Sequence, residues 1–244
     1  MTDWDNRKIF PDSSTLTRYV AERIARLAQA TLEHNETFSI ALSGGSTPKP
    51  IYHLLATEFR EALDWERIHL FWGDERCVAP DDPQSNYRMV KEVLIDAIRI
   101  PEDNIHRMHG EDDPNQAAMA YEEEILRFFD NPEELFDLNL LGMGDDGHTA
   151  SLFPGTKAVH EDERLVIAHH IDSLQMSRIT LTRVGILRSM NIMFIVSGSK
   201  KAQVLREVLS GADDPDRYPS QVIARSNHAH LVWAIDEAAA SQLE

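Results

Sequence analysis

The sequence has a single cysteine, Cys77, which excludes an internal disulfide and fits a reducing compartment. Positive charge is also scarce: 24 Lys and Arg stand against 41 Asp and Glu, a formal net charge of −17. A field of that sign repels nucleic acid and anionic membranes. It leaves the capture of any anionic ligand to a few locally placed cations or helix N-termini. No apolar run approaches the length of a membrane span, and the N-terminal stretch MTDWDNRKIFPDS has no apolar signal core. There is no GxxxxGK[ST] and no GxGxxG, which disfavours mononucleotides and dinucleotides, and no GxSxG elbow for a serine hydrolase. No Ser/Gly linker, low-complexity tract or internal repeat divides the chain. The expectation is a soluble cytoplasmic protein with one domain over residues 1–244.

What the chain does have is 42% hydrophobic residues in short runs that alternate with amphipathic stretches. Runs at 37–42, 68–72, 138–141, 191–196 and 229–235 read as buried strands, and 165–168 and 179–181 as shorter ones. Helical spacing predicts helices over 13–34 (capped by Ser13 and Ser14), from Pro48 through Phe59, and over 86–98 behind Ser85. Further helices are predicted over 117–129, 200–209 and 237–242, the last capped by Asp236. Residues 101–115 read as an irregular acidic connection, and 219–224 are ambiguous. Strands alternating with helices imply an α/β fold, a mostly parallel sheet covered on both faces.

Four places carry candidate chemistry. The stretch LNLLGMGDDGHTASLFPG at 138–155 reads as strand, tight turn and helix start. It sets His148 beside Asp145 and Asp146 among Gly142, Gly144 and Gly147. A histidine near neutral pKa suits taking a proton from water and returning it to a leaving oxygen. No second histidine or cysteine stands at ligand spacing nearby, so no metal is expected there. The loop Ser43-Gly44-Gly45-Ser46-Thr47 follows a strand and precedes a helix, an arrangement that offers backbone N–H groups and hydroxyls to a phosphate. Asp74-Glu75-Arg76 ends another strand, either as a base with an anion clamp or as a solvated ion pair. Arg178, Lys200 and Lys201 form a scattered basic set, with the lysines at a helix start where the dipole favours acids. His169 and His170 read as a strand-edge pair.

Together these segments resemble the 6-phosphogluconolactonase family, within the group that includes glucosamine-6-phosphate deaminase. SGGSTPKPIY at 43–52, FWGDERCV at 71–78, QSNYRM at 84–89 and LGMGDDGHTASLFPG at 141–155 carry the resemblance. RITLT at 178–182, SGSKKAQVL at 197–205 and LVWAIDEAAA at 231–240 extend it over nearly the whole chain. In the deaminases the turn after the histidine leads to an acidic residue used in ring opening, whereas Leu152-Phe153-Pro154 here supplies none. The resemblance implies a three-layer α/β/α fold with a Rossmann-like sheet. It also implies hydrolysis of 6-phospho-D-glucono-1,5-lactone in the pentose phosphate pathway, without cofactor or metal, on a substrate made by glucose-6-phosphate dehydrogenase. A deaminase and a non-catalytic sugar-phosphate sensor are the alternatives.

The roles expected from the resemblance fall at two ends of the substrate. Ser43, Gly44, Gly45, Ser46 and Thr47 with Arg76, Arg178 and Lys201, rather than Lys200, hold the phosphate, and either arginine is open to the lactone carbonyl instead. His148 serves as base and then acid, Asp146 orients it with Asp145 as the alternative, and Asp74 positions water or a sugar hydroxyl. Free N–H groups around Gly144, Asp145 and Gly147 stabilise the oxyanion.

Overall fold

The computed structural model describes residues 6–243; the first five residues of the stretch read as lacking a signal core lie outside it. The chain runs β1 (Arg7–Phe10), α1 (Ser13–Leu32), β2 (Phe38–Leu42), α2 (Lys49–Thr57), β3 (Ile68–Trp72), β4 (Asp74–Arg76), α3 (Asn86–Val93) and α4 (Pro114–Phe128). It continues through β5 (Leu138–Leu141), β6 (Val166–Ile171), β7 (Met176–Leu181), α5 (Arg183–Leu187) and β8 (Ile192–Val196). The last elements are α6 (Ala202–Ser210), α7 (Gln221–Ala224), β9 (Leu231–Asp236) and α8 (Glu237–Ala240).

Six strands form one parallel sheet in the order β1-β9-β8-β5-β2-β3. Alternate residues of each strand feed opposite layers. Ile40 and Leu42 pack with α1 and α2, whereas Ala41 packs with α4 and α6. Both faces are therefore covered, which explains why the strands are near-continuous apolar runs. From β2 the chain crosses outward to β3, and from β5 it crosses the other way to β8. The carboxyl ends of β2 and β5 thus flank the point where the strand order reverses, the position where open α/β sheets leave a crevice.

A second, three-stranded antiparallel sheet, β4-β7-β6, hangs from the first. Gly73 is the hinge: its N–H donates to Leu42 O (2.9 Å) and its carbonyl accepts from Leu181 N (2.8 Å). Beside it, Tyr121 of α4 closes the outward edge of β3. The Trp72 N–H donates to the Tyr121 hydroxyl (2.9 Å), which donates to Trp72 O (3.1 Å). The position of β4 is thereby tied to the main core. No helix of the described residues is long and apolar enough to cross a membrane.

Several elements differ from the reading of the sequence. β1 is half-exposed at the sheet edge, so its residues Arg7–Phe10 carry no apolar run. α1 is capped by Asp12, whose carboxylate accepts from Thr15 N, and not by Ser13 or Ser14. The helix expected over 86–98 leaves α geometry after Val93 and ends in a tighter turn at Ile95–Ala97. α5 was not expected; the Thr182 hydroxyl caps it by accepting from Val184 N and Gly185 N. The helix expected at Thr149 does not form. The Thr149 hydroxyl turns back to Gly142 O (2.8 Å), and Ala150 adopts φ 47° in a tight turn closed between Thr149 and Leu152.

Candidate active site

The β5 turn carries the imidazole. His148 Nδ1 lies 2.6 Å from Asp146 Oδ1, and the same oxygen accepts from the His148 N–H at 3.1 Å. Of the two consecutive aspartates, it is Asp146 that holds the ring. Burial pushes the Asp146 carboxyl up, but the hydrogen bond and charge of His148 outweigh it and leave it below the ordinary range. The ring stacks on Phe153 with centroids 4.1 Å apart. It also lies against Gly144, where a Cβ would stand 2.1 Å from His148 Nδ1, so only glycine leaves the imidazole in place. The turn consumes its own backbone donors: Gly144 N–H donates to His148 O (2.8 Å) and Gly147 N–H to Gly144 O (3.1 Å). This corrects the expectation that those two groups are free for an oxyanion. Gly147 does not border the cavity. It packs against Tyr218, and its carbonyl accepts from Ser220 N (2.8 Å).

The loop after β2 behaves differently. Ser43 N–H is taken by the Tyr52 hydroxyl (3.0 Å). Among the described residues, the N–H groups of Gly44, Gly45, Ser46 and Thr47 have no acceptor in the chain. Gly45 sits at φ 101°, a region that a side chain resists.

On β4, Asp74 is 8% exposed and is held through both oxygens, by Asn86 Nδ2 (3.2 Å) and the Ser151 hydroxyl (2.7 Å). Glu75 is no solvated ion-pair partner. It accepts from the N–H groups of Asn86 and Tyr87 (both 2.7 Å) at the start of α3, and burial pushes its carboxyl up against their pull. Arg76 stands directly opposite Arg178 of β7 in the antiparallel register. Like charges in that position repel, yet among the described residues neither guanidinium has a carboxylate partner within ion-pair distance. Arg76 Nη1 donates to Gln84 O, and the Nε of both arginines is buried without an acceptor. Burial, with the charge of Arg76 behind it, lowers the pKa of Arg178. Two guanidiniums so placed can hold an anion between them.

Lys201 comes from the turn after β8. Asp236, at the end of β9, anchors that turn by accepting from the Ser197 hydroxyl and Gly198 N–H. Lys200 points to solvent, whereas Lys201 Nζ faces the β5 turn and pairs with Asp145 Oδ1 (2.5 Å).

These residues border two adjoining cavities. One of ≈ 300 Å³ is lined by the 43–47 loop with Asp74, Asn86, His148 and Lys201. The other, of ≈ 460 Å³, is lined by Arg76, Arg178, Asp145, His148 and Phe153. A larger cavity of ≈ 800 Å³ behind Ser46 and Thr47 holds no paired acid and base. Among the described residues, no group of three His, Cys, Asp or Glu side chains is arranged to hold a metal ion. Burial pushes the Cys77 thiol up to about 11, so it is not an activated nucleophile. Of the residues given roles at the two ends of the substrate, all but Gly147 border one or both cavities, whereas Glu75, Lys200, His169 and His170 line neither. Asn86, Ser151 and Phe153 were not singled out. Asn86 and Ser151 fix Asp74, and Phe153 fixes the imidazole.

The family model described as Glucosamine-6-phosphate isomerases/6-phosphogluconolactonase matches residues 11–233. The chain is 43% identical to the 6-phosphogluconolactonase of Synechocystis over 89% of each chain. It also resembles the crystal structure of 6-phosphogluconolactonase from Thermotoga maritima at 32% identity. That likeness has a TM-score of 0.81 and covers 94% of this chain and 98% of that one. A monomeric glucosamine-6-phosphate deaminase shares the fold alone, with a TM-score of 0.83 at 22% identity, over 97% of this chain and 99% of that one.

Proposed function

We propose that this chain, which belongs to the glucosamine-6-phosphate isomerase/6-phosphogluconolactonase family, hydrolyses 6-phospho-D-glucono-1,5-lactone to 6-phospho-D-gluconate. The observation that carries the reading is the sharing of one crevice by the His148–Asp146 pair and two arginines that have no carboxylate partner among the described residues. Asp146, as a carboxylate, accepts at Nδ1 and so assigns the proton to that nitrogen; Nε2 is then the free base. Nε2 takes a proton from a water that attacks C1 of the lactone. The imidazolium returns that proton to the ring oxygen as the C1–O bond breaks, so one residue serves both steps. Asp146 and the Phe153 face stabilise the charged ring between them.

At the other end, Arg76, Arg178 and Lys201 hold the phosphate, with the N–H groups of Gly44, Gly45, Ser46 and Thr47 and the hydroxyls of the 43–47 loop completing its shell. Asp74, fixed by Asn86 and Ser151, positions the attacking water or a sugar hydroxyl. The reaction needs no cofactor in this scheme. We place it in the cytoplasm, within the pentose phosphate pathway, coupled through the metabolite to glucose-6-phosphate dehydrogenase.

The lactone also hydrolyses unaided, so the test is the excess rate over buffer. Purified protein is added to lactone freshly made by glucose-6-phosphate dehydrogenase, and the acid product is followed. A rate proportional to protein concentration is expected; no excess rate overturns the proposal.

A further inference from the structure

The two consecutive aspartates of the β5 turn serve different cations. Asp146 binds the imidazole at 2.6 Å, and Asp145 binds Lys201 Nζ at 2.5 Å. The second contact has no part in the scheme above, and it occupies one of the three cations that hold the phosphate. The Asp145 side chain is 63% exposed and that of Lys201 23%. A pair so open to solvent is weak and readily exchanged. Asp145 and His148 border the same cavity, so the carboxylate faces the reacting end of the ligand as well as the lysine.

Hydrolysis changes the charge of the molecule in that cavity. The lactone carries only its phosphate charge, whereas the product carries the phosphate and a new carboxylate at C1. A fixed anion at the mouth repels the product more strongly than the substrate, and it is at hand to reclaim Lys201 as the phosphate leaves. We propose that Asp145 is a specificity-determining residue that favours substrate over product and speeds product release. The inference rests on the reading of Lys201 as a phosphate anchor.

The test compares Asp145→Asn, Asp145→Glu and Lys201→Ala with the wild type. The readouts are KM for the lactone, the inhibition constant of 6-phosphogluconate, and thermal melting as a check on folding. Asp145→Asn keeps the shape and removes the charge, so the product inhibition constant is expected to fall about 3- to 10-fold, on Coulombic grounds. KM should fall less, lowering the ratio of the two. Asp145→Glu should restore the wild-type ratio. An unchanged ratio in Asp145→Asn overturns the inference, as does a higher one. Lys201→Ala should raise both constants. If it moves neither, the phosphate reading fails and takes the inference with it. If it moves both while Asp145→Asn leaves the ratio alone, only the inference fails.

Discussion

The loop at 43–47 and the turn at 142–148 both leave the carboxyl end of a fully buried parallel strand, and both are rich in glycine. They flank the same crevice, yet they use their backbones in opposite ways. The 142–148 turn spends the Gly144 and Gly147 N–H groups on itself, which makes it a rigid bracket for a side chain, His148. The 43–47 loop leaves the N–H groups from Gly44 to Thr47 without acceptors among the described residues, so the backbone itself is on offer to a ligand. A glycine-rich turn after a strand therefore does not announce one function. The destination of its N–H groups separates a scaffold for chemistry from a cradle for an anion.

Substitutions at one glycine in each segment break the comparison most directly. Gly144→Ala places a Cβ where His148 Nδ1 now sits, and displacing the base is expected to lower kcat on the order of 10²-fold with little change in KM. Gly45→Ala meets no atom within 4 Å but is strained by its φ of 101°. It should raise KM and leave kcat nearly intact. Steady-state kinetics on the two proteins check the split, and equal effects on both constants in both would dissolve the distinction.

Lys201→Ala comes next in size. Loss of one charge-assisted contact of about 1.5–3 kcal/mol predicts a KM raised by roughly 10- to 100-fold. A larger effect on kcat than on KM would move Lys201 from the binding end to the reacting end.

The smallest effect lies away from both segments and sharpens how their pH profiles are read. His69 Nδ1 contacts His106 Nε2 at 3.0 Å, and His106 contacts Glu124 at 2.7 Å, on the far edge of the sheet. Burial, with the His106 charge behind it, lowers the His69 pKa from 6.5 to about 4. The unfolded chain then binds the proton first, so stability is fullest above pH 6.5 and declines as pH falls from 6.5 towards 4. Denaturant melts of His69→Asn against wild type should show a gap that narrows between pH 7 and pH 4.5. A pH-independent gap would remove His69 from the acid sensitivity. Any acid loss of kcat that survives in His69→Asn belongs to the site.

The strands that build the crevice were legible because parallel strands covered on both faces are short apolar runs, as in Phe38–Leu42 and Ile192–Val196. Where a strand must also carry the site, the run is broken. Asp74-Glu75-Arg76 read as the end of the preceding strand and Arg178 as lying ahead of a strand at 179–181, so β4 as a strand of its own and the antiparallel sheet were missed. His148 and the basic partners were legible as residue types at strand ends. The assignment of Asp146 to the imidazole was not, because spacing alone places Asp145 equally near. The contact of Ser151 with Asp74 spans 77 residues of sequence, a distance no local pattern reports. The helix expected after His148 failed because the Thr149 hydroxyl, a good cap by type, was used to close the turn on Gly142.

The division between a reacting turn and a binding loop is tested most directly by His148→Ala, measured for turnover and for 6-phosphogluconate binding on the same preparation. A loss in kcat of about 10²–10⁴-fold is expected, with binding of the product retained. Near wild-type turnover, or loss of binding together with turnover, would contradict that division.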